Sequence, residues 1–180
     1  MTKKGVISGG AVVVAGGLLA WSLIDFGPSP ELLSQARRAY ERNYRVVLNR
    51  RYITLIDYTK PIFARRLWVL NVATGKVVLG AHVAHALESG LIYPTEFSNQ
   101  VNSRKSCTGA FLTLKDYHGK FGHAMRVQGL DEENNHALAR AIVFHQTSTL
   151  YTLGCFATTP VTNQKIIELV KGGSLVYVAR

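Results

Sequence analysis

The sequence contains little cysteine. Cys107 and Cys155 are the only two among 180 residues, which is too few for a framework of disulfide bonds, and they do not form a CxxC pair. The six histidines include His82 and His85, but neither an HExxH motif nor a cluster of cysteines accompanies them. The sequence therefore predicts no metal site.

Carboxylates are also scarce. Asp and Glu total 11 against 21 for Lys and Arg, which gives a net charge of +10 with neutral histidines. This balance favours an acidic partner, and nucleic acid, anionic lipid and a carboxylate-rich cell-wall polymer all qualify. Apolar residues make up 47% of the chain, which excludes a disordered protein and provides for one domain with a core.

Charge is missing altogether from Gly5 to Ile24, a run of twenty residues. About 20 apolar residues suffice for a helix that crosses the hydrocarbon core of a bilayer. Because no A-x-A site precedes Asp25, we expect an uncleaved signal anchor, a transmembrane helix over residues 1–26, with a cleaved signal peptide as the alternative. The two lysines before the run orient the N-terminus inward and place the rest of the chain outside the cytoplasm. That location argues against nucleic acid as the partner.

Residues 27–50 read as a linker and an amphipathic helix. Ser29 can cap a helix that has Pro30 at its first position. Apolar residues then recur at helical spacing to about residue 48: Leu32, Leu33, Ala36, Tyr40, Tyr44 and Val47. The opposite face carries Arg37, Arg38, Arg42 and Arg45. These arginines either face solvent or contact anionic lipid headgroups beside the anchor.

From residue 51 onward short β-rich runs alternate with turns, which predicts a mostly β domain over residues 51–180. Strands are predicted at residues 52–56, 67–72, 76–79, 108–113, 124–128 and 174–178. Turns are predicted at residues 73–75 and 117–122, and a long loop at residues 88–105. Short helices are predicted at residues 134–140 and from Pro160 to the glycines at residues 172 and 173.

His145 and Cys155 are the candidate reactive pair. An apolar, β-branched run ends at His145, and nine residues separate it from Cys155. A thiolate is a far better nucleophile than a thiol, and a histidine at a strand end can supply the base or cation that a reactive cysteine needs. Gly154 permits a sharp turn that aims Cys155 outward and leaves amide N–H groups to bind an oxyanion. The alternative is a buried structural histidine and cysteine.

Several groups of residues occur in an order shared with a known family. They are Ile53–Pro61, Arg66–Leu70 with Thr74–Val77, Val83–His85 with Ser89–Gly90, Phe97–Asn99, Thr108–Phe111, Ala139–His145 and Gly154–Cys155. In this order they resemble the murein L,D-transpeptidase catalytic domains of bacterial envelopes. The resemblance implies a β-sandwich or barrel-like fold with a few short helices, here preceded by the transmembrane and amphipathic helices.

The resemblance also implies a chemistry. Cys155 would be the nucleophile and His145 the base, oriented by a backbone carbonyl near Gln146, while the turn Thr152–Cys155 would supply oxyanion donors. Residues implied at the substrate site are His85, Ser98, Asn99, Thr108, Gly109 and Thr152. A structural hydrogen bond is an equal alternative for His85, and turn capping is the alternative for Ser98, Asn99 and Thr108. The partners implied are peptidoglycan stem peptides, with acyl transfer through a thioester that needs neither metal nor organic cofactor. The domain would lie in the periplasm, anchored in the inner membrane.

Four departures from the family leave other functions open. Gln146 replaces the usual glycine, and Leu153 replaces a polar or aromatic residue before Gly154. Ala157 stands where the family often has arginine or a comparable polar residue, and the connection from His145 to Cys155 is short. One alternative is a catalytically silent protein that binds peptidoglycan. The other is a Cys–His amidase or peptidase that gives the acyl group to water.

Overall fold

An eight-stranded sheet organises residues 27–180, the part of the chain that this computed structural model describes. In spatial order the strands are β3 (Val77–Ala81), β2 (Leu67–Asn71), β1 (Tyr52–Asp57), β10 (Leu175–Ala179), β5 (Gly109–Gly119), β6 (Gly122–Gly129), β7 (Val143–Gln146) and β9 (Phe156–Thr158). Neighbouring strands are antiparallel except in the pairs β1–β10 and β7–β9. Two short parallel strands, β4 (His85–Ala86) and β8 (Tyr151–Thr152), form a second sheet.

Two helices, α1 (Pro30–Asn43) and α2 (Pro160–Val170), lie against opposite faces of the sheet. Side chains alternate along a strand, so Ile53 and Leu55 of β1 pack with α1. Ile56 instead joins the core that contains Ile166 and Ile167 of α2. The central strands are therefore buried on both faces, which explains their nearly continuous apolar sequences. The mostly β fold with a few short helices, predicted for residues 51–180, is confirmed.

Helix α1 begins where the sequence predicted and ends at Asn43 rather than near residue 48. The Ser29 hydroxyl caps it by accepting a hydrogen bond from the Leu32 N–H at 3.1 Å. After Asn43 the chain turns, and Val47 packs into the same core as Leu32. The apolar spacing beyond Asn43 is thus satisfied by a turn that returns to the sheet.

Residues 134–140 form a series of turns, so the helix predicted there is wrong. The buried Asn134 side chain donates to the carbonyl groups of Thr108 at 2.8 Å and Ala110 at 2.9 Å. It also accepts a hydrogen bond from the Asp131 N–H at 3.0 Å. An asparagine that bonds to backbone groups in this way competes with helix formation.

The hairpin between β5 and β6 is longer than predicted. The sequence predicted a turn over residues 117–122, but the two strands continue to Gly119 and Gly122, and His118 lies opposite His123. The two histidine rings are stacked with centroids 4.7 Å apart. The chain therefore reverses at Lys120 and Phe121, and the tip of the hairpin extends well beyond the predicted strands.

The membrane segment predicted for residues 1–26 lies outside the described residues. Within residues 27–180, no helix combines the length and the apolar character needed to cross a bilayer. The predicted linker region, residues 27–50, includes α1, which packs directly on the sheet.

Candidate active site

Strands β7 and β9 bring His145 and Cys155 to one cleft. The two strands are adjacent and parallel, with Phe144 opposite Phe156 and His145 opposite Ala157. Both phenylalanines are buried in the core, so alternation along the strand turns His145 to the other side. Cys155 directly precedes β9, and both residues line a cleft of about 550 Å³. We call this opening the His145 cleft.

His145 has one ring nitrogen bonded to the backbone. Its Nδ1 lies 2.7 Å from the carbonyl oxygen of Gln146, the kind of backbone contact that the sequence analysis expected. Since a carbonyl can only accept, Nδ1 carries the hydrogen, and the neutral ring presents its lone pair at Nε2. The Gln146 carbonyl therefore selects the tautomer that a general base requires.

Phe121, which the sequence analysis did not single out, covers His145. Its ring stacks on the imidazole with centroids 4.7 Å apart and 30° between the planes, and it lines the His145 cleft. At the neighbouring Gly122, φ is +74° and a Cβ would lie 2.6 Å from Nε2 of Gln146. The positive φ favours glycine at this position of the hairpin tip, and the Gln146 side chain of β7 packs against it.

Cys155 is a partly exposed thiol, whereas Cys107 is buried, and both are free. The Cys155 thiol donates to the Ala141 carbonyl at 3.6 Å. Burial raises the pKa of Cys155, and a backbone hydrogen bond from Val143 and the charge of Arg140 offset only part of that rise. Burial also raises the pKa of Cys107, to about 11. Burial therefore favours the neutral form of the Cys155 thiol, which must lose its proton to become a strong nucleophile.

The turn before Cys155 is held together by Thr152. Gly154 has a φ of +125°, a conformation that favours glycine. Its N–H donates to the Thr152 hydroxyl at 3.1 Å, and that hydroxyl donates to the Cys155 carbonyl at 3.0 Å. Of the amides predicted as oxyanion donors in this turn, that of Gly154 is therefore already bonded.

His85, predicted for the substrate site, lies in the interior and does not line the His145 cleft. Its Nε2 lies 2.8 Å from the Gly90 carbonyl, so Nε2 donates, and Nδ1 accepts from Nη2 of Arg66 at 2.7 Å. Burial lowers the pKa of His85, the Gly90 hydrogen bond raises it, and the charge of Arg66 lowers it. Both ring nitrogens are thus occupied within the fold.

Ser98 and Asn99, also predicted for the substrate site, hold a neighbouring turn. The Asn99 side chain donates to the Glu132 carbonyl at 2.7 Å and accepts from the His136 N–H at 3.1 Å. The Ser98 carbonyl accepts from Nη1 of Arg140 at 2.6 Å. These contacts fasten the long loop to the turns that precede β7.

Thr108 and Gly109 contact the same turns. The Thr108 carbonyl accepts from the Asn134 side chain at 2.8 Å. Gly109 has a φ of +96°, and a Cβ there would lie 2.7 Å from Oδ2 of Asp131. Of the residues predicted for the substrate site, Thr152 alone lines the His145 cleft.

A second groove, of about 730 Å³, opens beside the same turn. Its lining includes Glu88, Asn102, Arg104, Ala139, Arg140, Ala141 and Leu153, and we call it the Arg140 groove. Leu153 is 64% exposed and lines both openings. The turn that carries Cys155 therefore lies between the His145 cleft and the Arg140 groove, whose lining includes three charged side chains.

Comparison with protein families gives one match that covers most of the chain. The family described as the L,D-transpeptidase catalytic domain matches residues 27–179. No curated protein sequence matches the chain significantly.

Solved structures provide a further comparison. The helical cell shape determining protein Pgp2 of Campylobacter jejuni superposes with a TM-score of 0.53 at 14% identity, over 72% of this chain and 47% of that protein. An L,D-transpeptidase of Stackebrandtia nassauensis gives a TM-score of 0.48 at 13% identity, over 80% of this chain and 63% of that protein. The chain thus spans less than two-thirds of either protein, and the likeness to Pgp2 concerns the fold.

Proposed function

The chain belongs to the family of L,D-transpeptidase catalytic domains, and from that premise we propose that it transfers an acyl group between peptidoglycan stem peptides through a thioester on Cys155. One observation supports this proposal above the others: His145 and Cys155 lie at neighbouring parallel strands and line one cleft. The Gln146 carbonyl leaves Nε2 of His145 as the proton acceptor. A positioned base is what a neutral thiol needs in order to react.

In the first half-reaction the Cys155 sulfur attacks the carbonyl carbon of a donor stem peptide. Nε2 of His145 takes the thiol proton as the sulfur–carbon bond forms, and the carbon–nitrogen bond to the leaving residue then breaks. The leaving amine takes the proton from His145. The base is essential in this scheme because burial favours the neutral thiol.

In the second half-reaction an amine on a neighbouring stem attacks the thioester. His145 accepts the proton of that amine and returns it to sulfur as the sulfur–carbon bond breaks. Phe121 stacks on one face of the His145 ring. We propose that this cover limits the access of water to the proton path and so favours an acceptor amine over hydrolysis.

A catalytically silent protein that binds peptidoglycan is the second candidate. Two observations favour it: the raised pKa of Cys155 and the occupied amide of Gly154. Lys3, Lys4 and Asp25 together contribute +1 to the chain's net charge of +10. Residues 27–180 therefore carry a net charge of +9. That charge complements an acidic cell-wall polymer whether or not the thiol reacts.

Muropeptide analysis separates these functions. Purified residues 27–180 are incubated with peptidoglycan, with Cys155→Ala as the test variant and Cys107→Ala as the control for loss of a thiol elsewhere. New crosslinks that require Cys155 support the transpeptidase. Trimmed stems without crosslinks indicate the amidase or peptidase, and an unchanged profile with retained binding indicates the silent protein.

We also propose that the domain lies in the periplasm, tethered to the inner membrane by residues 1–26. The uncharged run from Gly5 to Ile24, with two lysines before it, is the support for this topology. A reporter fused after Arg180 should be active only on the exported side, and the protein should remain with membranes after a carbonate wash. A soluble mature form that begins before Ser29 would contradict the uncleaved anchor.

A further inference from the structure

Arg140 connects the long loop to the turn that carries Cys155. Its guanidinium donates from Nη1 to the Ser98 carbonyl at 2.6 Å and from Nη2 to the Lys105 carbonyl. The planar, forked guanidinium suits such a pair of contacts. Nη2 also lies directly behind Gly154, where a Cβ would be 3.1 Å away from it. Arg140 therefore supports the nucleophile turn from behind while it fixes residues 98–105.

The charge of Arg140 is not neutralised by a carboxylate within residues 27–180, since its partners there are two carbonyl groups and the buried thiol of Cys107. Neighbouring cations differ in this respect. Lys105 pairs with Glu96, and Arg104 approaches Glu88 at 3.8 Å. A cation that is partly buried without a counter-ion costs solvation energy. It also acts on its surroundings more strongly than a paired cation does.

The residue after Arg140 contacts the sulfur from a second direction. Ala141 has a φ of +52°, which is unfavourable for a residue with a Cβ. Its carbonyl accepts from the Cys155 thiol at 3.6 Å. Strain of this kind persists where the surroundings enforce it, and functional sites are common among such places. Adjacent residues thus hold the nucleophile turn through a guanidinium and a carbonyl.

We propose that Arg140 is a positioning residue of this site, which fixes the Gly154–Cys155 turn against the long loop and places an unneutralised positive charge behind the turn that carries the sulfur. The inference rests on the proposed function in one respect, since it takes Cys155 as the nucleophile. It assigns a role to the Arg140 side of the turn that His145 cannot fill, because His145 faces the other cleft. Consistent with this geometry, Arg140 lowers the pKa of both thiols against the effect of burial.

The test is the pH profile of Cys155 alkylation by iodoacetamide, read by mass spectrometry. Arg140→Gln removes the charge, and its profile should move to higher pH by about one unit. Arg140→Lys keeps the charge without the fork, so its profile should stay near that of the parent while its melting temperature falls. Arg104→Gln, in the same groove but paired with Glu88, is the matched control and should not move the profile.

The opposite result is a lower melting temperature in Arg140→Gln with an unchanged pH profile, and this result would overturn the proposal in favour of a purely structural arginine. Should Arg140→Gln fail to fold, Asn102→Asp places a carboxylate in the Arg140 groove without removing the arginine, and it must then move the profile to higher pH. No movement in that variant also overturns the proposal. Alkylation needs no peptidoglycan, so absence of crosslinks in the muropeptide assay identifies failure of the proposed function separately.

Discussion

His145 and His85 are both buried imidazoles that donate to a backbone carbonyl, yet their surroundings prepare them for different roles. His145 donates from Nδ1 to the Gln146 carbonyl, and its side chain lines the His145 cleft. His85 donates from Nε2 to Gly90 and accepts from Arg66 with its other nitrogen. Burial alone therefore does not distinguish the proposed base from His85. The two histidines differ in the bonding of the second ring nitrogen.

Replacement of His145 should have the largest effect on activity of the changes considered. His145→Gln removes the proton acceptor, and crosslink formation should fall by about 10²- to 10⁴-fold, with little change in melting temperature. The exposed His82 provides the control His82→Gln, which should retain activity. If His145→Gln still crosslinks at nearly the parent rate, the thiol proton leaves by another path and the contrast between the two histidines fails.

Replacement of His85 should have the opposite result. His85→Ala removes one of the two partners of Nη2 of Arg66, which keeps only the Val83 carbonyl, and it leaves the Gly90 carbonyl without the His85 ring. This loss should cost about 1–3 kcal/mol of unfolding free energy. Urea denaturation measures this loss, and the alkylation rate of Cys155 in the folded protein should not change. Unaltered stability together with lost crosslinking would instead place His85 in the substrate site.

The pH dependence of the unfolding free energy should show a smaller effect of His85. Because the folded protein lowers the pKa of His85, the unfolded chain binds the proton first. The free energy of unfolding should therefore fall as the pH drops below about 6.5. His85→Gln should flatten this dependence. Asp116, whose pKa is lowered to about 2 by His123 and Lys171, should contribute only below about pH 4, so the two effects separate in a pH series.

The smallest expected effect concerns the cover over His145. Phe121→Ala removes a stacking contact worth about 0.5–1.5 kcal/mol, so crosslinking should fall only several-fold while the fold is retained. Phe63 is 66% exposed, and Phe63→Ala is the matched control for loss of a surface aromatic ring. An increase in the share of hydrolysed stems in Phe121→Ala would support the exclusion of water, whereas an unchanged rate and product ratio would contradict any role of the ring.

Much of the fold was predictable because its signals are local. Short β-rich runs bounded by turns marked the strands, and Ser29 and Pro30 marked the start of α1. The wrong helix at residues 134–140 has a nonlocal cause, since the Asn134 side chain bonds to backbone groups of Thr108 and Ala110. No periodicity within that segment records those partners.

The site divides in the same way. His145 and Cys155 were identifiable because a strand end and a Gly–Cys turn are local patterns. Phe121 and Arg140 were not singled out, because the contacts that define them join distant segments: a hairpin tip to β7, and a turn to the long loop. The environment of His85 likewise depends on the buried Arg66, which lies nineteen residues earlier, just before β2.

The place of β10 in the sheet has a consequence for how the chain is made. Strand β10 lies between β1 and β5 and is hydrogen-bonded to both, so the strands on its two sides are synthesised before the strand that joins them. During translation the domain cannot complete its core until residues 175–179 have emerged, and such long-range pairing slows folding. Until β10 inserts, the edges of β1 and β5 that pair with it remain open, and such unpaired apolar edges favour aggregation.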